Sequence, residues 1–233
     1  MLRKVEEPLP GTTIDPTCPD SDDIQMGETD FHALAVIWLR EALEDYFAER
    51  SDVYVASNLF LYYEKGRYRY HRDPDVMVVM GVGKHQRRSF RTWEEKTVPR
   101  VVFEIASERT WSRDLYDKPE VYAGIGIPEY FLFDAEGVYL DPILRGFHRT
   151  GGRKYARMRL SRDGSLTSRE LGLRLVPEGG MLRLLDVQTG TRILTRSERA
   201  EEDHRRAEEL AAEVERLRKQ LRKQHGTTNG GNA

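Results

Sequence analysis

Cysteine is nearly absent from this sequence. Among 233 residues the only one is Cys18, so the chain can close no internal disulfide and build no cysteine-based zinc site. Long apolar runs are missing too: no stretch approaches the roughly 18 residues that a membrane-spanning helix needs. The N-terminal MLRKVEEPLPGTTIDPTCPDSDD lacks the apolar centre of a secretion signal, and the expected location is the cytoplasm, with no membrane partner. Apolar residues make up 39% of the chain, low for a protein that is core throughout, so part of it is expected to lie outside the compact domain. Net charge is also small, −2, which argues against indiscriminate attraction to nucleic acid.

Local charge differs from the total. Between Glu64 and Arg91 eight Lys or Arg face three acids. Lys84, Arg87, Arg88 and Arg91 in this segment are candidate contacts to phosphates, because cations along a nucleic-acid backbone release counterions. The other reading of the same residues is the solvated face of a hairpin.

Organisation follows from periodicity. Residues 1–28 are rich in Pro, Asp, Thr and Gly without apolar period, a flexible leader. FHALAVIWLREALEDYFAER then carries Phe31, Leu34, Ala35, Trp38, Ala42, Leu43, Tyr46 and Phe47 at the spacing of an amphipathic helix, with Thr29 or Asp30 as cap. VYVASNLFLYYEKGRYRY reads as strand, turn and strand. Two nearly continuous apolar runs, VMVVM after Pro74-Asp75 and VVFEIAS from Val101, read as strands covered on both faces. A helix is expected over Ser112–Ile125, kinked or restarted at Pro119, and EYFLFDAEGVYL again as strand, turn and strand. Shorter β-like runs follow. From about Arg196, Ala200, Ala207, Leu210, Val214, Leu217 and Leu221 fall on a four-three spacing in a charged background, interrupted at Asp203, a helix over 196–225 with a coiled-coil seam. Residues 226–233 read as a disordered tail.

One residue stands against its surroundings. Glu104 lies inside VVFEIAS, where an unpaired carboxylate costs several kcal/mol or stays protonated, so it needs a partner. Arg100 and Arg113 are candidates; a metal cation is the other. Asp75 opens the neighbouring apolar run, and adjacent strands can bring both acids to one end of a sheet, a donor set that suits Mg²⁺, with Mn²⁺ as a substitute. Such an ion favours phosphodiester hydrolysis by activating water and polarising a phosphoryl oxygen. Lys118, one helical turn after Asp114, is the candidate cation beside it. The alternatives are that Asp75 is a turn acid after Pro74 and that Lys118 is a surface charge paired with Asp114. Ser107 either hydrogen-bonds near the site or ends the strand. Glu28 and Glu41 are weaker candidates for a third acid, and His32 is a packing residue or a base.

Several segments carry a resemblance. PDVMVVMG, SFRTWEE, PRVVFEIASERTWSRDLYDKPEVYAGIGIPEYFLFD, LGLRL and DVQTGTRIL resemble the Uma2 family of restriction-endonuclease-like proteins, a branch of the PD-(D/E)xK nuclease superfamily. The resemblance spans about residues 29–196 and implies a nuclease domain over 29–195. Its fold class is α/β: a restriction-endonuclease-like αβββαβ core with a mixed sheet, extra C-terminal β strands and a C-terminal helix. It assigns Asp75 as the first acid and Glu104 as the second. Two residues after Glu104, where the superfamily carries lysine, stands Ala106; relatives of this kind carry the lysine on the following helix, where Lys118 stands. The implied activity is a Mg²⁺-dependent endonuclease acting on DNA, with a homodimer suited to duplex symmetry. The alternative is a catalytically inactive DNA-binding or oligomerising module on the same fold.

Overall fold

The computed structural model describes residues 9–13, 15, 17–18 and 29–228, with side chains to Arg222. Helix α1, Asp30–Tyr46, begins at Thr29, whose side chain accepts the His32 backbone N–H, the N-cap role of a short hydroxyl. Strands β1 (Val53–Ser57), β2 (Leu61–Tyr62), β3 (His71–Arg72), β4 (Val76–Met80) and β5 (Phe90–Arg91) follow, then the single turn of α2 (Thr92–Glu95) and β6 (Val101–Ile105). The expected helix over Ser112–Ile125 is two: α3 (Trp111–Tyr116) and α4 (Lys118–Ile125), separated at Asp117 with Pro119 in the first turn of α4. Proline lacks the N–H to continue α3 but suits a first turn. Next come β7 (Glu129–Phe133), β8 (Leu144–Arg149), β9 (Tyr155–Arg157), β10 (Leu166–Ser168), β11 (Leu173–Glu178), β12 (Met181–Asp186) and α5 (Arg196–Thr228).

Six strands form the central sheet in the order β1-β4-β6-β7-β8-β9. All neighbours run antiparallel except β6 and β7, and the α3–α4 pair supplies the crossover that a parallel pair requires. The mixed sheet, and the helix–strand–strand–strand–helix–strand order of α1, β1, β4, β6, α3–α4 and β7, are those of the expected core. A second sheet, β10-β11-β12, and a small third one, β3-β2-β5, complete the first of two compact units, which ends at Ile193. The second unit holds α5, where Leu210, Val214, Leu217 and Leu221 are exposed. No helix among the described residues is long and apolar enough to cross a membrane.

Alternation along the strands divides the core in two. Val76, Val78, Val101, Phe103, Ile105, Phe131 and Phe133 face one side and pack with α1 and the β10–β12 sheet. Met77, Val79, Val102, Ala106, Tyr130 and Leu132 face the other and pack with Tyr122 of α4. The buried stripe of α1 is His32, Ala35, Val36, Leu39, Ala42 and Leu43, while Phe31 and Leu34 are exposed. The helix is apolar around much of its circumference, so two stripes fit the same period and the one containing Val36 and Leu39 meets the sheet.

Parts of the leader are docked. Gly11 adopts φ +71° and sits so close to the Ser89 carbonyl that a Cβ would overlap it. Its N–H donates to Glu94 and its carbonyl accepts from Arg88 N–H. Cys18 is buried against Phe60 and Tyr62. In β8, Gly146 has no room for a side chain beside Leu166, Met158 and Phe131, which lets β8 lie against the second sheet.

Candidate active site

The ladder between β4 and β6 pairs Val76 with Phe103. One step further along this antiparallel register Asp75 stands opposite Glu104, and residues directly opposite share a face. That face is the one covered by α3 and α4. Asp75 Oδ2 accepts the Ile105 N–H at 2.6 Å and lies 3.3 Å from His32 Nε2, so the first acid is tied to the strand of the second. The first turn of α1 brings His32 to the same strand end.

Glu104 is 1% exposed. Its Oε1 lies 2.9 Å from Lys118 Nζ and accepts the Tyr122 hydroxyl at 2.5 Å. Lys118 Nζ is also 2.8 Å from Asp114 Oδ1. Although α3 and α4 are separate helices, the i to i+4 pair survives the break, and Lys118 joins two buried carboxylates. The backbone is held as well: Tyr130 donates its hydroxyl to the Asp114 carbonyl at 2.7 Å. Neither candidate arginine is the partner of Glu104. Arg100 pairs with Glu170, and the cation at Glu104 is Lys118.

Two carboxylates, Glu104 and Asp114, therefore hold one ammonium, and the charge of Asp75 also acts on it. Burial pushes the Glu104 carboxyl well above the usual range; Lys118 opposes this, and Asp75 and Asp114 add to it. Asp114 is raised by burial against the pull of Lys118. For Lys118 the carboxylates outweigh desolvation and hold the ammonium above its ordinary value, so it remains charged at neutral pH. Burial and Glu104 likewise raise the Tyr122 phenol, leaving it a donor.

This donor set fits a hard divalent cation. Asp75 and Glu104 offer hard oxygen donors, and one or two carboxylates plus water are what Mg²⁺ ordinarily takes. Among the described residues no group of three or more His, Cys, Asp or Glu is arranged to hold a metal.

The other sequence candidates that the structure describes have partners of their own or stand apart. Ser107 shares a hydrogen bond with Thr110, and its carbonyl accepts the Thr110 and Trp111 N–H groups, which starts α3. Glu41 is nine residues along α1 from His32, about 13 Å at the helical rise, and Glu28 falls outside the described residues. Lys84 donates to the Phe47 and Ala48 carbonyls at the end of α1. Arg87 is buried with Glu95 at 2.6 Å and lies over the Tyr54 ring. Arg91, 2% exposed, holds Glu94, Ser89 and the Thr13 carbonyl. Arg88 is exposed. Arg87 and Arg91 are thus internal braces neutralised by the acids of α2, while Lys65, Arg67, Arg69 and Arg88 of the same segment are exposed. Tyr122 has the spacing of any core residue of its helix, and nothing local announces its hydroxyl's partner.

No curated protein matches the chain. A crystal structure described as "a putative nuclease belonging to DUF820 from Anabaena variabilis ATCC 29413" is similar at a TM-score of 0.46 and 11% identity, over 67% of this chain and 84% of that one. The Uma2 family model, described as "Putative restriction endonuclease", matches residues 23–183. That stretch holds β4, β6, α3, α4 and every side chain of the cluster, and the chain belongs to the Uma2 family.

Proposed function

We propose that the protein is a metal-dependent DNA endonuclease that hydrolyses phosphodiester bonds at Asp75, Glu104 and Lys118. One observation carries this reading: two register-matched acids share a sheet face with a lysine that reaches the deeper acid from the next helix. Asp75 and Glu104 would hold Mg²⁺ or Mn²⁺, which when bound supplies Lewis acidity toward a phosphoryl oxygen and a more acidic water. Lys118, kept protonated by its carboxylate neighbours, serves as a hydrogen-bond donor and fixed positive charge where negative charge develops, rather than as a base. Asp114 holds the ammonium in place. Tyr122 fixes the Glu104 carboxylate, and the Ile105 N–H fixes Asp75. Two-fold pairing would match duplex DNA, and the exposed leucine and valine stripe of α5 is the candidate contact.

The test is nicking of supercoiled plasmid with Mg²⁺ or Mn²⁺ by wild type, Asp75→Asn and Glu104→Gln, with thermal melts to establish folding. Metal-dependent nicking by wild type alone supports the reading; equal nicking by all three overturns it. The rival, a non-catalytic DNA-binding or oligomerising module, is favoured by Lys118 and Tyr122 both occupying the same Glu104 oxygen. It predicts DNA binding without metal-dependent nicking.

A further inference from the structure

Residues 145–162 hold seven Lys or Arg and no Asp or Glu. They form most of the β8–β9 hairpin and the chain after it. Arg149, Arg153, Lys154, Arg157, Arg159 and Arg162 are exposed, and no ion pair among the described residues engages them. Asp163, the next acid, is occupied by Arg174. The contrast with Arg87 and Arg91, each held by a glutamate, is direct.

The hairpin register pairs Phe147 with Arg157 and Arg149 with Tyr155, so arginine and aromatic alternate across one face. This is the face of Glu104 and Lys118. Phe147 and Tyr155 stack on Tyr130, with centroids 5.6 and 6.4 Å away, and Tyr130 hydrogen-bonds the Asp114 backbone. Between the hairpin and α3–α4 lies an open cavity of about 650 Å³, walled by Tyr116, Pro119, Phe147, Arg153, Lys154 and Tyr155, with Glu120 as its acid. Its size is that of clefts that take small organic groups. Helix α4 is shared: its first residue is Lys118, and Pro119, Glu120 and Ala123 line the cavity.

We propose that this face binds a single-stranded stretch of DNA, the hairpin cations along its backbone and an unpaired base stacked in the aromatic cavity. The choice of DNA rests on the nuclease reading above; the site itself rests on the hairpin. Aromatic walls reach only a base whose face is open, and a cationic track with aromatic platforms is how proteins hold single strands without reading sequence. The strand so held passes beside α4 toward Lys118.

Fluorescence anisotropy of a labelled oligothymidylate, in EDTA and across a salt series, tests this without cleavage. Arg149→Gln/Arg157→Gln should weaken binding about tenfold and lower the log–log salt slope by about 1.4, the loss of two phosphate contacts on a single strand. Tyr116→Ala, at a residue 68% exposed, should weaken the single strand about tenfold and leave a duplex of the same length unchanged. Lys65→Gln/Arg69→Gln, equally exposed cations elsewhere, should change little. All these side chains are at the surface, so matched melting temperatures are expected. The proposal is overturned if wild type does not bind, if the Lys65/Arg69 pair matters as much as the hairpin pair, or if Tyr116→Ala affects neither strand form. Hairpin-dependent binding without metal-dependent nicking sinks the nuclease reading and leaves this one standing. Nicking that ignores the hairpin substitutions, with binding equally unaffected, does the reverse.

Discussion

Two glutamates are buried in the adjacent parallel strands of the central sheet, and they have opposite surroundings. Glu104 on β6 faces α4, 1% exposed; Glu129 on β7 faces the β10–β12 side, 3% exposed. Burial raises both carboxyls above their ordinary values. The Glu129 oxygens are each met by a neutral donor, the Ser168 hydroxyl at 2.5 Å and the Arg169 N–H at 2.9 Å. That arrangement ties β7 to the second sheet and leaves nothing to attract a ligand. Glu104 instead meets a charged lysine, and Asp75 and Asp114 crowd the same spot. A buried acid satisfied by neutral dipoles is a fastener; one set beside a lysine and other acids, with its carboxyl shifted by all of them, is a candidate functional site.

The largest way to test that contrast is Lys118→Met. It leaves Glu104 and Asp114 buried without their counter-charge and should cost about 3–5 kcal/mol in urea unfolding. Adding Asp114→Asn should recover part of the loss if the ammonium is shared as the distances indicate; strict additivity would argue that it is not. Next is Glu104→Gln, expected to lower metal-dependent nicking more than about 100-fold, beyond the effect of removing a mere supporting contact to a metal ligand, while the melting temperature changes by only a few degrees. Glu129→Gln should leave nicking unchanged; a comparable loss there would erase the distinction. Smaller still, Tyr122→Phe and Ser168→Ala each remove a hydrogen bond to a buried carboxyl, worth about 1.5–3 kcal/mol. Only Tyr122→Phe should also alter nicking, and equal effects of both on activity would break the comparison.

The sequence exposed one of these glutamates and hid the other. Glu104 stands in the middle of VVFEIAS, where an acid violates the pattern. Glu129 opens EYFLF, and an acid at a strand's first residue resembles an ordinary boundary. The core order was legible because VMVVM and VVFEI are apolar on both sides, and Lys118 was legible from its spacing to Asp114. Charge was harder to read. Of the eight cations between Glu64 and Arg91, Lys65, Arg67, Arg69, Lys84 and Arg88 are exposed, yet Glu94 and Glu95, just beyond, fold back through α2 to neutralise Arg91 and Arg87. The seven cations of 145–162 are spread by strand alternation among aromatics and glycines, so they form no conspicuous run until the hairpin register assembles them. Hydroxyl partners such as Tyr122 belong to tertiary packing, and no local pattern encodes them.

The smallest effect concerns pH and belongs to Glu129. Burial raises its carboxyl above the ordinary value despite the opposing Ser168 and Arg169 hydrogen bonds. A carboxyl whose folded value is raised favours the folded state in its protonated form. Its contribution is complete below the unfolded value, about 4.3 for glutamate, and is lost as pH rises through the raised folded value. Glutamine at 129 does not titrate, so the melting temperature of wild type minus that of Glu129→Gln should be most favourable to wild type near pH 4 and should fall toward neutrality. A difference that grows with pH would mean that the two donors, rather than burial, control Glu129. The carboxylate would then be the form the fold prefers, and the two buried glutamates would differ in kind as well as in company.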